Sequence, residues 1–371
     1  MASTDPVVRI LSHDGALAPT PPAEPYVDRV AALDEQALLG LLTDMVRTRA
    51  VDVEAANLQR QGHLALWAPS YGQEAAQIGS GRATRPQDAI FPAYREHGVA
   101  LVRGVDPLDL VRMMRGLTHS GWDPAEHGGF RQYTLVIGSQ TLHATGYAMG
   151  AQFDKATATG DPERDEAVLV YFGDGATAQG DTNEALVFAS SYNTPQVFFL
   201  QNNHWAISVP VERQSRTPLY RRAAGFGMPG VQVDGNDVLA VLAVTGALLD
   251  DARAGRGPAL IEALTYRVGA HTTADDPTRY RTAEELATWT ERDPILRLRR
   301  HLEGRGVGRE LFEGVDAEAA DLAADLRRRV LTLQDPPVSL MFAHVYQEAH
   351  PLVAAEQAWQ AEYEASYGEQ A

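Results

Sequence analysis

The sequence predicts an α/β protein: a doubly wound, mostly parallel sheet with helices on both faces, and a helical C-terminal extension. Three observations predict it. Short apolar runs alternate with helical patterns between residues 167 and 268, each run ends in a polar or glycine-rich turn, and from about residue 283 the chain turns charged and helical. Strand–helix repetition with short connections argues for a parallel sheet covered by helices on both sides.

Taken in order, residues 1–30 read as an N-terminal tail, because Pro19, Pro21, Pro22 and Pro25 block regular structure. Asp34 reads as an N-cap, with Leu38, Leu41, Leu42, Met45 and Val46 at helical spacing behind it and Gly62 placed to end the helix. Helices are expected over 73–81 and 107–115. Residues 118–133 form an irregular stretch rich in Gly, His and aromatics, and long loops of this kind are often functional. Strands are expected at 167–172, 196–200, 231–233 and 260–268, with helices at 182–191 and 237–254. The domain reading is a tail over 1–30, a cofactor-binding domain over 31–282 and the extension over 283–371. Asp234-Gly235-Asn236-Asp237 lacks the closing glutamate of a calcium loop, so it reads as a turn and helix cap.

Composition narrows the function. The 371 residues are 44% hydrophobic and 22% charged, enough for a sizeable core, and the formal net charge is −17. That balance, without a basic cluster, excludes a nucleic-acid surface and gives no attraction to anionic lipid. No signal peptide or spanning segment is visible, and the expected location is the cytoplasm. With no cysteine, thiolate nucleophiles and Cys-based zinc sites are excluded. An anionic cofactor would need a metal or placed cations.

The chemistry sits where strands end. Asp174 directly follows one predicted strand and Asn203 the next, 29 positions later (203 − 174). In a doubly wound sheet ligands bind beyond the carboxyl ends of the strands. A carboxylate and an amide oxygen delivered to one spot are the hard ligands that Mg²⁺ prefers. Gly173 and Gly175 allow a close approach by phosphate, and the helix starting near Gly180 aims amide groups at the same region. Gly-Asp-Gly alone is a common turn, and so is Asn-Asn after a strand. Their succession after consecutive strands is what raises the specificity.

Gly173-Asp174-Gly175 through Asn202-Asn203 resembles the thiamine diphosphate motif. The intervening Ala176-Thr177-Ala178-Gln179-Gly180-Asp181 resembles the α subunits of two-chain 2-oxo acid dehydrogenases (the branched-chain and pyruvate dehydrogenase family). Supporting segments are Gly72-Gln73-Glu74-Ala75, Tyr94-Arg95-Glu96-His97-Gly98 and His271-Thr272-Thr273-Ala274-Asp275-Asp276, and the likeness runs from about residue 34 to 349. It implies a thiamine-diphosphate-binding fold carrying the diphosphate domain. It implies that Asp174, Asn203 and the Trp205 carbonyl hold Mg²⁺, and that Gly175 and Ala176 give amides to the diphosphate. Tyr94 and Arg95 match the pair that grips the diphosphate, and Gln201 stands where some relatives place an arginine on it. Ile137 and Ser139 match the stretch around the aminopyrimidine. His271 matches the histidine near the reaction centre, and His119 a second histidine for acyl transfer, with His127 as its competitor.

The resemblance further implies oxidative decarboxylation of a 2-oxo acid, branched-chain before pyruvate, and reductive acylation of a lipoyl group on a partner acyltransferase. A β subunit completes an α₂β₂ heterotetramer and supplies the second half of each cofactor site. Two other readings compete: the α subunit of an acetoin-cleaving thiamine enzyme, and a non-catalytic assembly subunit that keeps the fold.

Overall fold

The computed structural model describes residues 6–118 and 121–368. Its centre is a five-stranded sheet built from β1 (Ala89–Phe91), β2 (Val168–Gly173), β3 (Gln196–Asn202), β6 (Gly230–Asp234) and β7 (Ala259–Leu264). The order is β1-β2-β3-β7-β6, and every neighbouring pair is parallel. β4 (Trp205–Ala206) and β5 (Val209–Pro210) form a separate two-stranded antiparallel hairpin just after β3.

Alternation along the strands builds two cores. Leu169, Tyr171, Val197, Phe199 and Ile261 face one side; Val168, Val170, Phe172, Phe198, Leu200 and Leu260 face the other. Against the first face pack the helices Glu35–Arg60, Glu74–Arg82 and Val238–Arg253; against the second pack Ser139–Phe153 and Gly180–Tyr192. The doubly wound, mostly parallel fold class is therefore as the strand–helix alternation predicts.

Helix boundaries follow local chemistry. The Asp34 carboxylate accepts from the amide of Ala37 at 2.8 Å, and the helix ends before Gly62, whose φ is +83°. Asp237 caps Val238–Arg253 by accepting from the Leu239 and Ala240 amides, so Asp234–Asp237 is a turn and cap, as read.

Three expectations need correction. The stretch read as an irregular tail is anchored over its described part. Val8 bridges to Val233, Ile10 and Leu11 are buried, and their amides donate to Asp237 Oδ2 at 2.7 and 2.6 Å. Its prolines start a 3₁₀ turn, Pro21–Tyr26, instead of preventing one. The strand expected over 260–268 leaves the ladder after Leu264, because β6 and β3 end opposite it; beyond it the Thr265 amide still reaches Asn202 O at 3.0 Å and the Arg267 amide Asn203 O at 3.4 Å. The short β1 was not foreseen, since three residues closed by Pro92 carry no periodicity.

The C-terminal part is helical, as expected, through Ala283–Thr290, Pro294–Gly304, Arg309–Leu331 and Pro351–Gly368. Leu298, Leu302, Phe312, Leu326 and Val330 join the same core cluster as Leu38 and Leu42. No helix among the described residues is long and apolar enough to cross a membrane.

Candidate active site

Four adjacent parallel strands deliver their following residues to one edge of the sheet. Tyr94 and Arg95 come just after β1, Asp174 after β2, Asn203 after β3, and Arg267 and His271 after β7. Gly173 and Gln201 are register partners, so Asp174 and Asn203 leave neighbouring strands almost level. All six residues line one cavity of about 250 Å³. Gly175, Ala176, Gln201, Trp205 and Ile137 line it as well. Ser139 lies between two lining residues, Gly138 and Gln140, at the start of its helix. His127 is not among the lining residues, and His119 lies outside the described residues.

Glycines let the loops approach. At Gly175 a Cβ would stand 2.9 Å from the Cβ of Ala206 in the hairpin. Gly138 has φ +89°, and a Cβ there would meet Thr182 Oγ1 at 2.9 Å, which draws the 137–139 stretch against the first turn of Gly180–Tyr192.

The charges of the cavity are out of balance in an informative way. Asp174 is 2% exposed, and no cation pairs with it among the described residues; its Oδ2 accepts only from Gln214 Nε2, at 2.7 Å. Burial pushes its carboxyl up to about 6, against the hydrogen bond from Gln214. Arg95 and Arg267 are buried, and neither has a carboxylate within ion-pair distance among the described residues. Arg95 donates to Pro69 O and, at 2.9 Å, to His271 O. Arg267 donates to the carbonyls of Trp205 at 3.0 Å and Ile207 at 2.7 Å, and to Tyr280 Oη at 2.9 Å. Buried charges normally carry partners. Here a carboxylate lacks a cation and two guanidiniums lack an anion, within one cavity.

His271 is held neutral. Burial first, then Arg95 and Arg267, push its imidazole down to about 4. Its Nδ1 lies 3.3 Å from Arg95 Nη2 and 3.4 Å from Arg267 Nη1, which can only donate, so Nδ1 accepts and the proton sits on Nε2. The Tyr94 ring meets the imidazole edge-on at 6.4 Å.

The amide side chains complete the lining. Asn203 Nδ2 donates to Gln73 Oε1 at 3.2 Å, and its Oδ1 accepts from the Trp205 amide at 3.3 Å. Gln201 gives one N–H of Nε2 to Glu96 Oε1 at 2.6 Å, while its buried Oε1 has no partner. Burial raises the Glu96 carboxyl to about 7 against the amides of Arg95 and Ala93. Reading the sequence assigned no role to Gln73, Glu96, Gln214 or Arg267. A signal existed for Arg267, an arginine inside an apolar strand pattern; Gln73 and Glu96 lie within quoted segments that gave them no task.

Residues 43–324 match the dehydrogenase E1 component family. The chain belongs to that family. It is 46% identical over 358 residues to the 3-methyl-2-oxobutanoate dehydrogenase subunit alpha of Mycobacterium tuberculosis, covering 94% of this chain and 92% of the relative. It is 36% identical over 355 residues to the pyruvate dehydrogenase E1 component subunit alpha of Staphylococcus epidermidis, covering 95% and 91%. With the corresponding Staphylococcus aureus subunit it shares 37% over 334 residues, covering 89% and 87%. The chain is thus an α subunit of a 2-oxo acid dehydrogenase E1 component, an oxidoreductase subunit of a thiamine diphosphate-dependent family that decarboxylates 2-oxo acids. The acetoin-cleaving and non-catalytic readings are not favoured.

Proposed function

We propose that this chain holds the diphosphate end of thiamine diphosphate through Mg²⁺ and acts with a β subunit on a branched-chain 2-oxo acid. The observation that carries the reading is the charge pattern of the cavity. A polyanion bridged by a divalent cation answers both deficits at once, with the cation beside Asp174 and the phosphates beside Arg95 and Arg267.

In this reading Asp174 Oδ1, Asn203 Oδ1 and the free lone pair of the Trp205 carbonyl hold the cation. Amides of Gly175 and Ala176 and the start of Gly180–Tyr192 favour negative charge beside them. The bound cofactor supplies an electron sink for the decarboxylation. The chain's own groups bind, orient and dry the site, among them Tyr94, Arg95, Ile137 and Gly138 in its lining. His271 offers an Nε2 proton to a developing negative oxygen, and an adjacent anion raises its basicity toward a working range. His119 is assigned to the transfer of the acyl group to the lipoyl arm of a partner acyltransferase.

The β subunit contributes the carboxylate facing the aminopyrimidine, and the assembly is α₂β₂, with the complex in the cytoplasm. The higher identity to the 3-methyl-2-oxobutanoate enzyme than to the pyruvate enzymes supports the branched-chain preference. The test is co-purification with a β chain, followed by decarboxylation assays. 3-Methyl-2-oxobutanoate should be turned over with a kcat/KM at least roughly 10-fold above that for pyruvate, the scale of a few methylenes in a pocket. Robust turnover by the α chain alone, or a preference for pyruvate, overturns the respective part.

A further inference from the structure

The side chain of Gln73 has no task within the fold that accounts for both of its ends. It stands at the N-cap of Glu74–Arg82, is fully buried, and lines the cavity. Its Oε1 accepts from Asn203 Nδ2 at 3.2 Å, and its Nε2 is buried without any partner. Leaving a buried N–H unmade is costly, so the orphan points to an acceptor that the polypeptide does not supply.

An asparagine amide is nearly symmetric in shape and opposite in chemistry at its two ends. Only the oxygen end can bind a cation. Within the described contacts two groups tell the ends of Asn203 apart: the Trp205 amide, which can only donate, at Oδ1, and Gln73 Oε1, the one side chain that accepts from Nδ2. Ligands of a metal are commonly oriented in this way by groups that do not touch the ion.

We infer that Gln73 is a positioning residue for Asn203: its Oε1 locks the Asn203 amide with Oδ1 toward the cation, and its Nε2 donates to an oxygen of the bound metal–phosphate group. This rests on the proposed Mg²⁺ and diphosphate reading. It assigns the orientation of one ligand to a side chain that touches neither the substrate nor the reacting atoms.

The experiment uses the complex of this chain with its β subunit. Calorimetry measures the Mg²⁺ concentration that half-saturates thiamine diphosphate binding. Wild type should show Mg²⁺-dependent binding; if it does not, the proposed function falls and this inference with it. Gln73→Met, which removes both ends, should raise the half-saturating Mg²⁺ roughly 10-fold or more. Gln73→Glu keeps the acceptor for Asn203 and loses the Nε2 donor, so its half-saturating Mg²⁺ should lie between wild type and Gln73→Met, a partial rescue that simple loss of packing would not give. In an Asn203→Asp background, where no Nδ2 remains to be held and only the Nε2 donor is lost, Gln73→Met should cost clearly less than it does beside Asn203. Should Gln73→Met fail to assemble, Gln73→Asn, one methylene short of Asn203, carries the same comparison. Wild-type Mg²⁺ dependence in Gln73→Met, an equal loss in Gln73→Glu, or an undiminished loss in the Asn203→Asp background overturns the inference.

Discussion

Two groups of buried charges in this molecule behave in opposite ways. At the flank of the sheet Asp88 and Asp234 each have a base. Asp88 is fully buried and bound by Arg253 through Nε at 3.1 Å and through Nη2. Asp234 is bound by Arg297 Nη2 at 3.0 Å and Arg9 Nε at 2.9 Å, and although burial pushes its carboxyl up, Arg297 and Arg9 outweigh it and hold it below the usual range. At the carboxyl ends of the strands, Asp174 is just as buried, lacks a cation and is pushed up. The first set of charges is satisfied by folding; the second is left for a ligand. Burial alone therefore does not mark the site, nor does one unpaired acid: Asp52 is as buried and has no cation among the described residues, yet it is bound by Trp67 Nε1 and the Ser70 amide; what sets the cavity apart is an unpaired carboxylate beside two unpaired guanidiniums.

Breaking a satisfied pair should have the largest effect. Arg253→Met strands Asp88 in the core and should lower unfolding free energy by roughly 3–5 kcal/mol, read in a denaturant titration. A loss below about 1 kcal/mol would mean that the flank charges are not held as described.

The unsatisfied set should respond the other way round. Asp174→Asn should leave the melting temperature of the cofactor-free complex unchanged or higher, because it removes a buried charge whose burial outweighs the hydrogen bond from Gln214. Decarboxylation should nevertheless fall by roughly 10³-fold, as expected when a cation worth several kcal/mol is lost. A variant that is less stable without cofactor and still active would place Asp174 with the flank residues.

Glu96 sharpens the comparison by pH. Its folded carboxyl lies near 7 against 4.5 for the free group, so its stabilising neutral form is fully present below about 4.5 and is lost as pH rises toward 7. In Glu96→Gln the side-chain oxygen can still accept from the Ala93 and Arg95 amides, and a flipped Gln201 can present its orphan oxygen to the new N–H. The variant should gain on wild type progressively between pH 4.5 and 7, by about 2–3 kcal/mol at most. Parallel stability–pH curves for the two proteins would refute the assignment.

The smallest effect belongs to exposed pairs. Arg309–Glu313, at 90% and 63% side-chain exposure, should be dispensable: Arg309→Ala should move the melting temperature by less than about 1 °C.

Much of this could be read before any coordinates. The strands were legible because a fully buried parallel strand is a continuous apolar run, as in Val168–Phe172, and Asp174 and Asn203 were legible because they stand immediately after such runs. β1 was not, because three residues leave no pattern, and with it went the reason why Tyr94 and Arg95 reach the site. The packing of residues 6–20 was hidden because its partners, Val233 and Asp237, are more than 200 positions away. Gln73, Gln214 and Glu96 touch Asn203, Asp174 and Gln201, and a sequence shows what a residue is, not what it leans on.

In the proposed reading the cavity's unpaired carboxylate and guanidiniums take a metal-bridged diphosphate. Calorimetric titration of thiamine diphosphate into the α–β complex, with Mg²⁺ and then with a chelator, tests it most directly. Binding should be tight with Mg²⁺, lost with the chelator, and lost in Asp174→Asn under both conditions. Equal affinity with and without the metal, or an Asp174→Asn complex that binds like wild type, would contradict it.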